Sequence, residues 1–183
     1  MTTATQVDRT LAVAIARDVL RQLGREDVPL SIGKLYSYLT EIESPDSVSG
    51  HSPGGDAIDA IQARCGVCIL GGMLLSLARI KGANHVPEDP SRWMIVTLLS
   101  NAFTPAELDV IESAFECSVM NVNEFECDDH QDAHLERCAA AMNWGRSLDT
   151  RDPDEVSFRI ARARAICENL IANGGQFIIP TDQ

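Results

Sequence analysis

The sequence predicts a mainly α-helical protein, a single-domain helical bundle of about six to seven helices around a buried central helix, with at most a minor short strand pair. Three observations predict it. Apolar residues recur at spacings of three and four along most of the 183 residues. Two segments open with a Thr or Asp cap followed by Pro, and several close at Gly. The most apolar run, residues 65–80, has too wide an apolar arc for a surface helix. In that run Val67, Leu70, Leu74, Leu77 and Ala78 share one stripe, while Ile69, Met73 and Ile80 form an adjoining one. Gly71 and Gly72 each cost about 1 kcal/mol against Ala inside a helix, which fits a close approach of another backbone. The run falls short of the roughly 20 apolar residues that a bilayer span needs.

The other elements follow in order. Residues 2–8 read as a frayed terminus. Leu11, Ile15, Val19, Leu20 and Leu23 make an amphipathic helix from Asp8, with Gly24 as its stop. Residues 30–39 admit a strand or a short helix, and Leu35, Tyr38 and Leu39 favour the helix. Flexible loops are expected near residues 43–55 and 83–92, where Ser, Pro, Gly and Asp concentrate. Between them a helix from Asp56 turns Ile58 and Ile61 inward, Gly66 bends or breaks it, and Lys81-Gly82 ends the central helix. Residues 93–99 are dense and apolar, a buried helix or strand.

Thr104-Pro105-Ala106-Glu107 has the spacing of a capping box with Pro at the first helical position, and Leu108, Ile111 and Phe115 follow inward. Residues 119–126 break the period and read as a connection. Residues 129–144 form a further helix with Leu135, Cys138, Ala139 and Met142 on one face, closed by Gly145. Asp152-Pro153-Asp154-Glu155 opens the last helix, which turns Val156, Ile160, Ala163, Ile166, Cys167, Leu170 and Ile171 inward and Arg159, Arg162 and Arg164 outward. Asn173-Gly174-Gly175 stops it, and the apolar tail 177–180 docks back on the body.

Charge is the second strong feature. The chain carries 27 Asp and Glu against 15 Lys and Arg, a net charge of −12. Between Arg92 and Arg137 no Lys or Arg occurs, whereas Glu107, Asp109, Glu112, Glu116, Glu124, Glu126, Asp128, Asp129, Asp132 and Glu136 do. Such a field repels nucleic acid and favours basic partners or cations; a solvated acidic face is the plainer reading. Basic residues form no stripe with interleaved aromatics, so direct nucleic-acid binding is not expected. Residues 1–6 are polar and show no signal peptide, so a cytoplasmic location with reduced thiols is expected for the six Cys.

Two residue groups could carry chemistry. Cys127-x2-His130-x3-His134-x3-Cys138 offers imidazole and thiolate, the ligands zinc prefers, with the last three residues on one helix side. Cys138 also belongs to the apolar face, and a free Cys is often a small buried hydrophobe, so no cofactor is the base expectation and zinc the alternative. Cys65-Gly66-Val67-Cys68 has the spacing of a redox pair, but such a site needs a strand before it, and residues 57–64 read as helix. No phosphate-binding Gly-rich loop and no Gly-x-Ser-x-Gly is present.

Four blocks carry a resemblance: Ala16-Arg17-Asp18-Val19-Leu20-x-Gln22-Leu23; Cys65-Gly66-Val67-Cys68-Ile69-Leu70-Gly71; Phe103-x4-Leu108-x2-Ile111-Glu112-x-Ala114-Phe115-Glu116; and Glu168-Asn169-x2-Ala172-Asn173-x-Gly175-x-Phe177. In content and order they resemble a family of small proteins from bacteriophages and prophage-bearing bacteria with no assigned activity. The resemblance implies an accessory phage-type protein in the cytoplasm of a bacterial host, and it transfers no catalytic residue. The expected function is therefore non-enzymatic: an acidic surface of Glu112, Glu116, Glu124, Glu126, Asp128, Asp129 and Asp132 binds a basic host protein. Such binding would inhibit a nucleic-acid-binding or defence complex by occupying its basic groove, an anti-CRISPR-like or other counter-defence role. One alternative is a zinc-binding protein or metal-dependent hydrolase using Cys127, His130, His134 and Cys138. The other is a self-assembling phage component, supported by the tail and a crossing at Gly71-Gly72.

Overall fold

A computed structural model describes residues 7–23, 36–38, 65–83, 91–117, 130–148 and 155–180. Six helices occur among them: α1 (Arg9–Leu23), α2 (Ile69–Lys81), α3 (Arg92–Leu99), α4 (Pro105–Glu116), α5 (His130–Ser147) and α6 (Glu155–Ala172). Two three-residue strands, β1 (Tyr36–Tyr38) and β2 (Cys65–Val67), pair antiparallel with Tyr36 opposite Val67 and Tyr38 opposite Cys65. The chain is a mainly α helical bundle. Within it α2 packs against α1, α3 and α4, while α6 packs against α1 and α4, and α5 lies along α4.

The wide apolar arc puts α2 at the centre. Every residue from Ile69 to Ala78 is buried, Ser76 included. Ile69, Leu70, Met73 and Leu75 are wholly enclosed, and full burial of each such side chain stabilises by about 1.5–3 kcal/mol. Gly82, at φ +62, ends the helix, and the Ala83 N–H reaches the Ala78 carbonyl at 2.9 Å. α1 faces the same core with Ala12, Ile15, Ala16, Val19 and Leu23, and Asp8 caps its start by accepting from the Leu11 N–H at 3.0 Å.

The capping box of α4 forms as its spacing predicts. Thr104 Oγ1 accepts from the Glu107 N–H at 3.2 Å, and Glu107 Oε2 accepts from the Thr104 N–H at 2.9 Å. Its other oxygen, Oε1, takes Arg9 Nη1 at 2.7 Å, and the same Arg9 nitrogen donates to the Gly175 carbonyl at 3.1 Å. A local cap thus ties the first helix to the turn after the last. Gly175 stands at φ +93 with an added Cβ 2.4 Å from the Arg9 carbonyl oxygen, so only glycine fits. The tail docks as expected: Phe177 is buried edge-on to Trp144 at 5.5 Å between ring centres. The Asn169 side chain both donates to the Ile178 carbonyl at 2.6 Å and accepts from its N–H at 2.9 Å. Phe177 is therefore spent on the chain's own core rather than offered for self-assembly.

Several expectations change. Tyr36–Tyr38 is a strand, not part of a short helix, because β2 is available to pair with it. Val67 and Cys65 lie in that partner strand, so the central helix starts at Ile69 with Cys68 as its N-terminal flanking residue. Among the described residues, nothing lies within 4 Å of a Cβ added at Gly72, so no described backbone approaches that glycine. Gly145 does not close α5, which runs on to Ser147; instead its missing Cβ lets Ala114 of α4 come close, since a Cβ would lie 1.9 Å from the Ala114 carbonyl oxygen. Arg162 is buried rather than outward, donating to the Phe115 carbonyl at 2.9 Å near the C-terminal end of α4. The helix expected from Asp56, the loop near 43–55 and residues 84–90 of the loop expected near 83–92 lie outside the described residues, while Arg92 already belongs to α3. Among the described residues no helix is long and apolar enough to cross a membrane.

Candidate functional site

Asp109 and Glu112 of the acidic interval meet Arg92, His134 and Cys138 where α3, α4 and α5 converge. Ser91 caps α3 by accepting from the Met94 N–H at 3.3 Å, which places Arg92 in the first turn. Asp109 and Glu112 stand one turn apart on α4, and His134 and Cys138 one turn apart on α5. Arg92 Nε donates to Glu112 Oε2 at 2.8 Å, and its Nη2 pairs with Asp109 Oδ1. The second Asp109 oxygen, Oδ2, lies 3.0 Å from His134 Nε2, and that same nitrogen is 3.7 Å from Cys138 Sγ. One network thus runs from guanidinium through carboxylate and imidazole to thiol, across three helices.

Its electrostatics follow from burial. At Glu112 burial raises the carboxyl above its ordinary 4.5, although the neighbouring Arg92 charge pulls the other way. Burial works against the Arg92 charge, but the Glu112 and Asp109 carboxylates outweigh it and hold the guanidinium more firmly protonated. Burial also pushes the Cys138 thiol up, and the nearby Asp109 charge adds to the rise. A thiol–imidazole–carboxylate relay needs the carboxylate on one ring nitrogen and the thiol on the other. Here both face Nε2, and the thiol is held protonated, so this arrangement joins helices rather than arming a nucleophile.

The sequence-predicted site residues divide. His134 and Cys138 share a face and touch, as their spacing predicts, while Cys127 and the side chain of His130 lie outside the described residues. Among the described residues no three His, Cys, Asp or Glu are grouped so as to hold a metal ion. Glu124, Glu126, Asp128 and Asp129 also lie outside them. Asp132 is exposed and Glu116 half-buried. Glu112 departs from the docking surface expected of it: its side chain is only 7% exposed and its charge is already answered by Arg92. Cys68, of the Cys65-Gly66-Val67-Cys68 pair, does follow a strand and precede a helix, but burial pushes its thiol up to about 12, the opposite of a reactive cysteine.

What the periodicity of residues 93–99 did not disclose is a surface. α3 buries Ile95 and Leu99 completely and turns Trp93, Met94 and Leu98 outward, exposed by 75%, 37% and 39%. Trp93 and Thr97, like Met94 and Leu98, are one helical turn apart, so the four share a face. Thr97 Oγ1 donates to the Trp93 carbonyl at 2.9 Å and so spends its hydroxyl within the helix. Arg92 and Thr97 interrupt the apolar run, and they are the sequence signal that one side of this eight-residue helix stays out of the core. The sequence matches no protein-family model, and neither a curated protein nor a solved structure matches the chain.

Proposed function

We propose that this chain is a non-enzymatic binding protein of the phage accessory type, which docks a basic host protein and blocks its nucleic-acid-binding or defence activity. The observation that carries the reading is the outward face of α3, an apolar patch of Trp93, Met94 and Leu98 on a chain of net charge −12. Exposed Trp is the residue type that most often anchors a protein interface, and a surrounding negative field selects a basic partner while repelling nucleic acid. The Arg92 network joins this helix to α5, where Asp132 and Glu136 are exposed and supply part of that field. The acidic residues that belong to the docking surface in this reading are Glu116, Glu124, Glu126, Asp128, Asp129 and Asp132; Glu112 acts from beneath it by holding Arg92.

The test uses the full chain as bait in a bacterial host lysate, beside a Trp93→Glu variant. The expected partner is basic, is released by raised salt, is lost with the variant, and gives up its bound nucleic acid when the wild-type chain is added. No partner at low salt, or one that Trp93→Glu still captures, refutes the reading. A second reading is zinc binding, favoured by the 3.7 Å approach of the His134 imidazole and the Cys138 thiol. Elemental analysis of the purified chain decides it, since absence of stoichiometric zinc ends that reading.

A further inference from the structure

Every hydroxyl on α3 and its two caps is turned back onto the helix itself. Ser91 Oγ accepts from the Met94 N–H, Thr97 Oγ1 donates to the Trp93 carbonyl, and Ser100 Oγ donates to the Thr97 carbonyl at 2.7 Å. Residues 93–106 contain no Asp, Glu, Lys, Arg or His, so the outward face of α3 has no charge of its own. The helix backbone is hydrogen-bonded within itself and offers no ladder to a strand. A strand laid on this face would bury its own N–H and C=O groups unpaired, whereas a helix arrives with them already satisfied. The side chains suit a helix too. Trp93–Thr97 and Met94–Leu98 are two neighbouring rows at a spacing of four, and the groove between such rows takes the ridge of a second helix crossing at about −50°. The charge around the face decides what flanks that ridge. Arg92 is the only cation on α3, and it is held by two carboxylates, Asp109 and Glu112, of which Asp109 keeps 25% of its side chain exposed.

We propose that the outward face of α3 seats a basic amphipathic helix of the partner protein, its apolar stripe lying over Trp93, Met94 and Leu98 and its Lys or Arg residues on both flanks. This rests on the docking reading above and names the element that docks. The apolar stripe supplies the contact, because the face can answer nothing else. The basic flanks answer the field of a chain at −12, which also turns away an acidic helix or a second copy of the chain itself. Trp93 provides a large rigid anchor, and the unbranched Met94 adapts to the side chains laid against it. The seat therefore reads a pattern, an apolar stripe between basic flanks, rather than one particular sequence.

Calorimetric titration of the full chain with three synthetic Ala-based peptides tests it, each of about 18 residues so that it is helical alone. The first has a Leu stripe with Lys flanks, the second the same stripe with Glu flanks, and the third Lys flanks with Gln in place of Leu. The first is expected to bind at least about tenfold more tightly than either of the others, and to weaken as salt is raised. It should also shift tryptophan emission to shorter wavelength. That signal reports this face, since Trp144, the other Trp of the chain, is already buried. Trp93→Glu and Leu98→Asp are each expected to weaken the first peptide at least about tenfold although each adds a negative charge, with thermal melts showing that the fold is kept. The proposal is overturned if the first peptide does not bind, if the Glu-flanked or the stripe-free peptide binds as tightly, or if the folded variants bind like the wild type. A dimer of the chain alone in sedimentation, dissociated by Trp93→Glu, overturns it as well, because the occupant is then a second copy. If a lysate partner is captured through Trp93 while the first peptide fails, the docking reading stands and the helical occupant is refuted.

Discussion

Replacing Arg92 by Met tests whether the network at the α3–α4–α5 junction holds the bundle together. The substitution keeps the aliphatic length and removes the charge. Glu112, 7% exposed, then stands as a buried carboxylate with no counter-ion. Removing one member of a fully buried pair costs about 3–5 kcal/mol. Arg92 itself is 35% exposed, so water reaches one side of the pair and the cost falls to about 2 kcal/mol. The loss depends on pH in a defined direction. Burial already holds Glu112 above its ordinary 4.5, and loss of Arg92 raises it further. Between 4.5 and that raised value the folded chain keeps a proton that the unfolded chain has released. The stability that Glu112 provides is therefore present below 4.5 and falls as pH rises through the folded value. Urea unfolding should show Arg92→Met nearly as stable as the wild type at about pH 4 and about 2 kcal/mol weaker at about pH 7. A difference under about 0.5 kcal/mol at neutral pH, or one that does not change with pH, would refute the account.

Two glycines should respond in opposite directions. Gly145→Ala pushes a methyl to 1.9 Å from the Ala114 carbonyl oxygen, forces α4 and α5 apart, and should cost about 3 kcal/mol by thermal or urea unfolding. Gly72→Ala places a methyl that meets none of the described residues within 4 Å and should stabilise by about 0.5–1 kcal/mol; a loss of stability in urea unfolding would refute this. Asn169→Ala removes both hydrogen bonds that pin Ile178 and should cost about 1–2 kcal/mol, with faster proteolysis of the tail as the specific sign.

Features closed within a few residues were legible in the chain itself. The Thr104–Glu107 box needs only groups three residues apart, and it forms with both bonds in place. The enclosure of α2 follows from an apolar arc that no surface position could accommodate, and the stop at Gly82 is likewise local. The spacing of His134 and Cys138 fixes their shared face in the same way. The approach of His134 to Asp109, on another helix, does not follow from it.

The rest turned on partners far away in the chain. A strand needs another strand, so Tyr36–Tyr38 could be recognised only once Cys65–Val67 lay beside it. Arg92 bounds the base-free interval in sequence; folding makes it the counter-ion of Glu112, twenty residues on, and so draws inward a carboxylate that composition alone would leave in water. Arg162 is buried with the Phe115 carbonyl, 47 residues away, accepting its hydrogen bond. The outward face of α3 has the same origin, since which side of a largely apolar helix meets the core depends on where the neighbouring helices stand. Local hydrogen bonding and hydrophobic period are properties of the sequence, whereas the burial of a charge or the exposure of a Trp is decided by what folding brings beside it.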